Sequence, residues 1–138
     1  MRLWHKDLIP VLPRRQLLSQ WRECCAIAGE INKCGSPRSP LTRKIMDYPI
    51  EHFVIYSRCV IQEMTFRGYK VNGDAFDKYG LRPSPKSDGL LYTELFKDWH
   101  NNRYLKQCYY NLQEKYDCKG ISEVDWKTIT DMYNNYFL

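Results

Sequence analysis

Apolar residues at Leu17, Leu18, Trp21, Cys24, Cys25 and Ala28 follow helical spacing and predict an amphipathic helix from about Pro13 or Arg14 to Glu30. Before it, Pro10 and Pro13 bracket Val11-Leu12 and predict an irregular start. After it, Asn32, Gly35, Ser36, Pro37, Ser39 and Pro40 predict an exposed loop, with Arg38, Arg43 and Lys44 on or just beyond it. A second helix is predicted from near Pro49 to near Gly68, burying Phe53, Tyr56, Val60, Ile61 and Met64. Tyr69-Lys70-Val71 reads as extended and Asn72-Gly73-Asp74 as a turn. A short helix over 74–79 and a loop over 82–88 follow. Leu91, Leu95 and Trp99 share one helical phase, and Leu105, Cys108, Tyr109, Leu112 and Tyr116 share another. The phase change predicts a break near Asn101-Asn102. Ser122 with Asp125 resembles a capping box ahead of Ile129, Met132, Tyr133 and Tyr136. The pattern contains no repeat and no long linker, so the expected fold is a single all-α domain over residues 1–138, a compact helical bundle with irregular basic loops.

Composition supports a core and excludes some functions. Eleven tyrosines and four tryptophans make the expected core aromatic, with polar tips at its edge. No run of about 20 apolar residues is present to span a bilayer. The first residues lack the apolar segment of a signal peptide. A soluble cytoplasmic monomer is therefore expected. Six cysteines without a Cys-x-x-Cys pair, and His5, His52 and His100 without zinc-type spacing, predict reduced thiols, no structural metal and no cofactor. A structural hydrogen-bonding role is the simpler reading of His5 and His52.

Charge is unevenly spread. Of 21 basic and 16 acidic residues, Met1–Lys44 holds nine basic ones (Arg2, Lys6, Arg14, Arg15, Arg22, Lys33, Arg38, Arg43 and Lys44) against Asp7, Glu23 and Glu30. The first third thus carries the whole positive excess, as expected where one face meets phosphates. On the first helix, at about 100° per residue, Glu23 falls almost opposite the apolar stripe, flanked by Arg15 and Arg22, with Gln16 and Gln20 bordering the other side. Such a group also fits an ordinary solvated face. On a DNA-binding surface, however, a carboxylate repels the ligand and needs a function that offsets this. Proton transfer, or stabilisation of a positive sugar intermediate, is such a function.

The segment Arg15-Gln16-Leu17-Leu18-Ser19-Gln20-Trp21-Arg22-Glu23 resembles the amino-terminal helix motif of the phage and bacterial pyrimidine-dimer DNA glycosylase family, and Met1-Arg2-Leu3-Trp4 is similar to its bacterial branch. Ile61–Val71, with Arg67-Gly68-Tyr69, resembles the family's long second helix and its ending. The resemblance implies a compact helical DNA-repair enzyme acting on damaged double-stranded DNA without metal or organic cofactor. Its amino-terminal α-amine attacks the anomeric carbon of the damaged nucleotide, expels the base and leaves an imine. The glutamate matching Glu23 supports glycosyl cleavage and the β-elimination that nicks the strand. An α-amine suits this role because its ordinary pKa, near 8, leaves a useful unprotonated fraction at neutral pH. Family members also flip a nucleotide and kink the duplex.

Met1 and Glu23 are accordingly the expected catalytic residues, and Arg2, Arg14, Arg15, Arg22, Arg38, Arg43 and Lys44 the expected DNA contacts. Arg2 is bulky enough to block removal of Met1, so the free amine belongs to Met1 rather than to a small second residue. The alternatives are Met1 in a shifted geometry, Lys6 in its place, or an altered or absent lyase step. Trp126, Lys127, Tyr133, Tyr136 and Phe137 have the composition of the family's lesion-reading carboxy-terminal segment, although Tyr133 and Tyr136 also suit a core. The runner-up reading is a non-catalytic DNA- or RNA-binding helical module that keeps the basic face, and the third is a helical protein-interaction domain.

Overall fold

A computed structural model describes residues 1–71, 90 and 92–138. The turn, short helix and loop expected between 72 and 88 lie outside the described residues, as does Leu91. Four α-helices are present among the described residues: α1 (Arg14–Cys34), α2 (Ile50–Phe66), α3 (Asn102–Asp117) and α4 (Glu123–Tyr136). Short 3-10 turns occupy Lys6–Val11, Arg43–Asp47 and Tyr92–Glu94, and no described residue is in a strand. The all-α expectation holds. No helix is long and apolar enough to cross a membrane among the described residues.

α1 starts directly after Pro13 and runs one turn past the predicted Glu30, ending at Gly35. Gly35 adopts φ 83° and donates its N–H to the Ile31 carbonyl, a left-handed cap that glycine adopts without steric cost. Leu17, Trp21, Cys24 and Ala28 are buried as predicted, and Ile27 joins them. All six cysteines are free thiols, with Cys24 and Cys108 in the core.

α1 packs on α2, which contributes Phe53, Tyr56, Val60 and Met64 to the core. The ending of α2 is a Schellman cap: Gly68 donates to Thr65 and Tyr69 donates back to Met64. Arg67 there reaches Glu63 at 2.9 Å and the carbonyls of Leu12 and Pro10 at 2.8 and 3.1 Å. The Arg-Gly-aromatic ending therefore clamps the amino-terminal segment onto α2, and Tyr69 receives the Arg14 guanidinium over its ring at 4.9 Å.

The expected helix through Leu95 and Trp99 is not formed. Tyr92–Glu94 is a single 3-10 turn, and Phe96 and Asp98 then take φ of 50° and 73°, outside helical geometry. Leu95, Phe96, Trp99 and His100 are all buried, so the segment after the turn enters the core. Its exposed polar groups find distant partners. The Phe96 N–H donates to Nδ1 of His52, and the Lys6 ammonium donates to the carbonyls of Tyr92, Thr93 and Leu95.

The expected break at Asn101 is the start of α3, where the Asn101 side chain accepts from the Tyr104 N–H. α3 packs on α4, whose cap is Ser122 accepting from the Asp125 N–H at 3.2 Å. Ser122→Ala should cost about 1 kcal/mol in urea unfolding, with no change in the cleft chemistry described below. Between α3 and α4, Tyr116, Trp126, Tyr109 and Tyr133 stack in sequence, Tyr109 on Tyr133 at 3.8 Å. Tyr133 is thus a packing residue, whereas Tyr136 is 38% exposed. α4 also meets the Lys6–Val11 turn, closing the bundle over the amino-terminal segment.

Candidate active site

The amino-terminal segment runs across the α1–α2 pair, and on α1 the side chain that holds Arg2 and Trp4 is Gln20. Gln20 has no solvent exposure. Its Oε1 accepts from the Trp4 N–H at 2.7 Å and from the Tyr56 hydroxyl at 3.0 Å. Its Nε2 donates to the Arg2 carbonyl at 3.0 Å and to Glu23 Oε2 at 3.4 Å. Both amide hydrogens are engaged, and the oxygen takes the Trp4 N–H with the Tyr56 hydroxyl beside it. Gln20 was expected at the border of the polar face. It lies inside because Leu3 and Trp4 cover that side of α1. The single Tyr56 proton is shared between Gln20 Oε1 and the nearer Trp4 carbonyl at 2.6 Å, and the Tyr104 hydroxyl donates to the Leu3 carbonyl.

Glu23 is half-buried rather than fully solvated. It lines an open cleft of about 410 Å³ with Trp4, Arg15, Gln16, Ser19, Lys115, Cys118 and Gly120. Two of its walls are therefore the amino-terminal segment and the carboxyl end of α3, which the pattern of α1 alone does not contain. Arg2 projects to the other side of Trp4, its guanidinium 5.5 Å from that ring, and lines a second cleft of about 450 Å³. Lys44, Arg103, Gln107, Trp99, Tyr104 and Leu41 complete it. A carboxylate cleft and a basic, aromatic cleft thus adjoin across Arg2–Trp4.

A family model for pyrimidine dimer DNA glycosylase matches residues 1–77. The chain belongs to this family. No curated protein and no solved structure matches it. The matched stretch contains the amino-terminal segment, α1 and α2, and so includes Gln20, Glu23 and the Arg67 clamp. Membership of a DNA glycosylase family makes DNA the substrate.

The expected site residues divide into groups. Met1 is exposed and next to the anchored Arg2. Glu23 and Arg15 share the carboxylate cleft, and Arg2 and Lys44 share the basic one. Arg22 is exposed on α1 but does not line either cleft. Arg14 stacks on Tyr69. Arg38 and Arg43 belong to the loop after α1, where Arg43 donates to the carbonyls of Pro37 and Arg38, and the Arg38 N–H donates to Glu30. The cleft-lining basic residues that sequence reasoning missed are Arg103 and Lys115, both on α3. Each sits beyond the stretch with a recognisable motif, in a region of balanced charge.

The three histidines act as hydrogen-bond acceptors in this glycosylase. Nδ1 of His5 accepts from Asp7 at 3.1 Å, and Nδ1 of His100 accepts from Lys6 at 3.0 Å. Their rings stack at 5.2 Å. Burial lowers the pKa of both, that of His100 to about 2, with the neighbouring His5 and Lys6 charges adding to the effect. Lys6 is 6% exposed, and burial lowers its pKa as well.

Proposed function

We propose that the chain cleaves damaged duplex DNA as a glycosylase with an associated β-elimination step, using the α-amine of Met1 as nucleophile and Glu23 as the acid–base group. The amine nitrogen forms a bond to the anomeric carbon, the glycosidic bond breaks, and the base leaves with the bonding pair and gains a proton. The nitrogen lone pair then forms the C=N bond as the C1′–O4′ bond breaks, and the remaining amine proton ends on the ring oxygen, which gives the imine with the opened sugar. Removal of a proton from the adjacent sugar carbon then expels the 3′ phosphate, and Glu23 is the group placed to handle protons in these steps.

The observation that carries this reading is the single Gln20 amide nitrogen bonded to both the Arg2 carbonyl and Glu23. It holds the residue after Met1 and the carboxylate on one side of α1. Lys6 is a poorer nucleophile candidate. Its ammonium is occupied by three carbonyls, of which that of Leu95 is in a buried position, and releasing it would leave that carbonyl without its donor. Product ends test the reaction. A duplex with one thymine dimer should yield a nicked strand with an unsaturated aldehyde at the 3′ end of the upstream fragment and a 5′ phosphate on the downstream one. An intact abasic strand as the final product would remove the β-elimination step.

The DNA contacts are proposed to be Arg2, Lys44 and Arg103 at the basic cleft, Arg15 at the carboxylate cleft and Arg22 on the open face of α1, with Arg14, Arg38 and Arg43 beside them. A guanidinium that meets a phosphate releases a condensed counterion. Arg22→Gln and Arg103→Gln should each flatten the slope of log affinity against log salt by about 0.9. Fluorescence anisotropy with undamaged duplex at several salt concentrations measures this. An unchanged slope would take that residue off the DNA face.

A further inference from the structure

Gln20 is buried and touches neither cleft, yet it joins the two parts of the proposed chemistry. From these four hydrogen bonds we infer that Gln20 is a positioning residue for the glycosylase reaction, setting the Met1 amine and the Glu23 carboxylate relative to each other. The inference rests on the reading of Met1 and Glu23 given above.

The bonds explain why this side chain must be an amide. Its oxygen is fixed by the Trp4 N–H, so a flipped amide would face that N–H with its own NH2 and would turn its oxygen on the Arg2 carbonyl and the Glu23 carboxylate. The nitrogen is then obliged to point at Arg2 and Glu23. The Arg2 bond sets the backbone one residue from the amine. The Glu23 bond, at 3.4 Å, selects one orientation of the carboxylate without taking up its second oxygen. Tyr56 is itself fully buried on α2 and tied to the Trp4 carbonyl, so the frame spans α1, α2 and the amino-terminal segment. A reacting group displaced by about 1 Å can lose on the order of 100-fold in rate, so such a frame acts on kcat while leaving binding to the surface arginines.

Gln20→Glu tests this with almost no change in shape. The variant keeps an oxygen for Trp4 and Tyr56 but replaces the nitrogen with a second carboxyl oxygen facing Arg2 and Glu23. On dimer-containing duplex, kcat should fall about 10- to 100-fold, with KM within about threefold. The acid limb of the kcat–pH profile should move upward, because two adjacent carboxyls hold a proton more tightly. A merely structural role would lower the amount of folded protein and leave that limb in place.

Tyr56→Phe is measured in parallel, since it frees the Gln20 oxygen from outside the site. It should lower kcat less than Gln20→Glu, again with KM retained, and this arm decides the matter if Gln20→Glu does not fold. Folded Gln20→Glu with wild-type kcat and pH profile, or folded Tyr56→Phe with wild-type kcat when Gln20→Glu is not obtained, would overturn the inference. Glu23→Gln separates its failure from that of the underlying reading. Full activity in Glu23→Gln would remove the catalytic assignment, and Gln20 with it. An inactive Glu23→Gln beside an unaffected Gln20→Glu would remove Gln20 alone.

Discussion

Glu23→Gln is expected to lower cleavage of dimer-containing duplex by about 100-fold or more while leaving duplex affinity at low salt unchanged or slightly raised. The substitution keeps size and an acceptor for Gln20 but removes the negative charge and the capacity to exchange a proton. Acid–base groups contribute roughly 10²- to 10⁴-fold, and an imine intermediate bears positive charge that a carboxylate stabilises. Affinity should not fall, because Glu23 repels phosphates that Arg2, Arg15 and Lys44 attract in the adjoining clefts. Single-turnover cleavage and anisotropy on the same duplex separate the two effects. A parallel loss of binding and cleavage would mean that Glu23 supports the fold or the DNA face rather than the reaction.

The second large effect is expected in acid. His100 is buried, neutral and held to a pKa of about 2, whereas the unfolded chain protonates it near 6.5. A base with a depressed folded pKa gives stability that is fully present above about pH 6.5 and is lost as pH falls below it, because the unfolded chain then binds the extra proton. From pH 6.5 to 4.5 His100 alone should cost about 2–3 kcal/mol. His5 adds loss of the same sign, since its pKa is lowered too. His100→Asn keeps an acceptor near the position of Nδ1 for the Lys6 N–H and removes the titration. Its stability at pH 7 should be lower than wild type, but its decline toward pH 4.5 should be shallower by about 1.4 kcal/mol per pH unit. Urea unfolding at several pH values measures both slopes. Parallel slopes would show that acid acts elsewhere.

The parts legible in the sequence are those whose cause is local. The α1 and α2 stripes, the proline starts, the glycine stop of α2 and the Ser122 cap all depend on residues within about one helical turn. Leu95–His100 misled because a turn buried in an aromatic core has apolar residues at nearly helical intervals, whereas its positive φ angles leave no mark on hydropathy. Gln20 was placed at a solvent border because its four partners come from three separate segments. Lys6 looked like a spare amine for the same reason: the turn that engages it is 86 to 89 residues away.

The candidate site shows the same division. Glu23 and Arg22 belong to a local motif on α1, and that motif made them visible. The second wall of the Glu23 cleft, Lys115 to Gly120, and the Arg103 side of the basic cleft come from α3, brought there only by packing. Even Arg67, prominent in the second motif, proves to clamp the amino-terminal segment rather than to face either cleft.

Borohydride trapping on duplex DNA carrying a thymine dimer, followed by peptide mass mapping, addresses the chemistry most directly. The reduced adduct should form in proportion to active protein and map to the α-amine of Met1, with Lys6→Met still giving it. An adduct on Lys6 or another lysine, or nicking with no trappable adduct at all, would contradict an amino-terminal imine governed by Glu23.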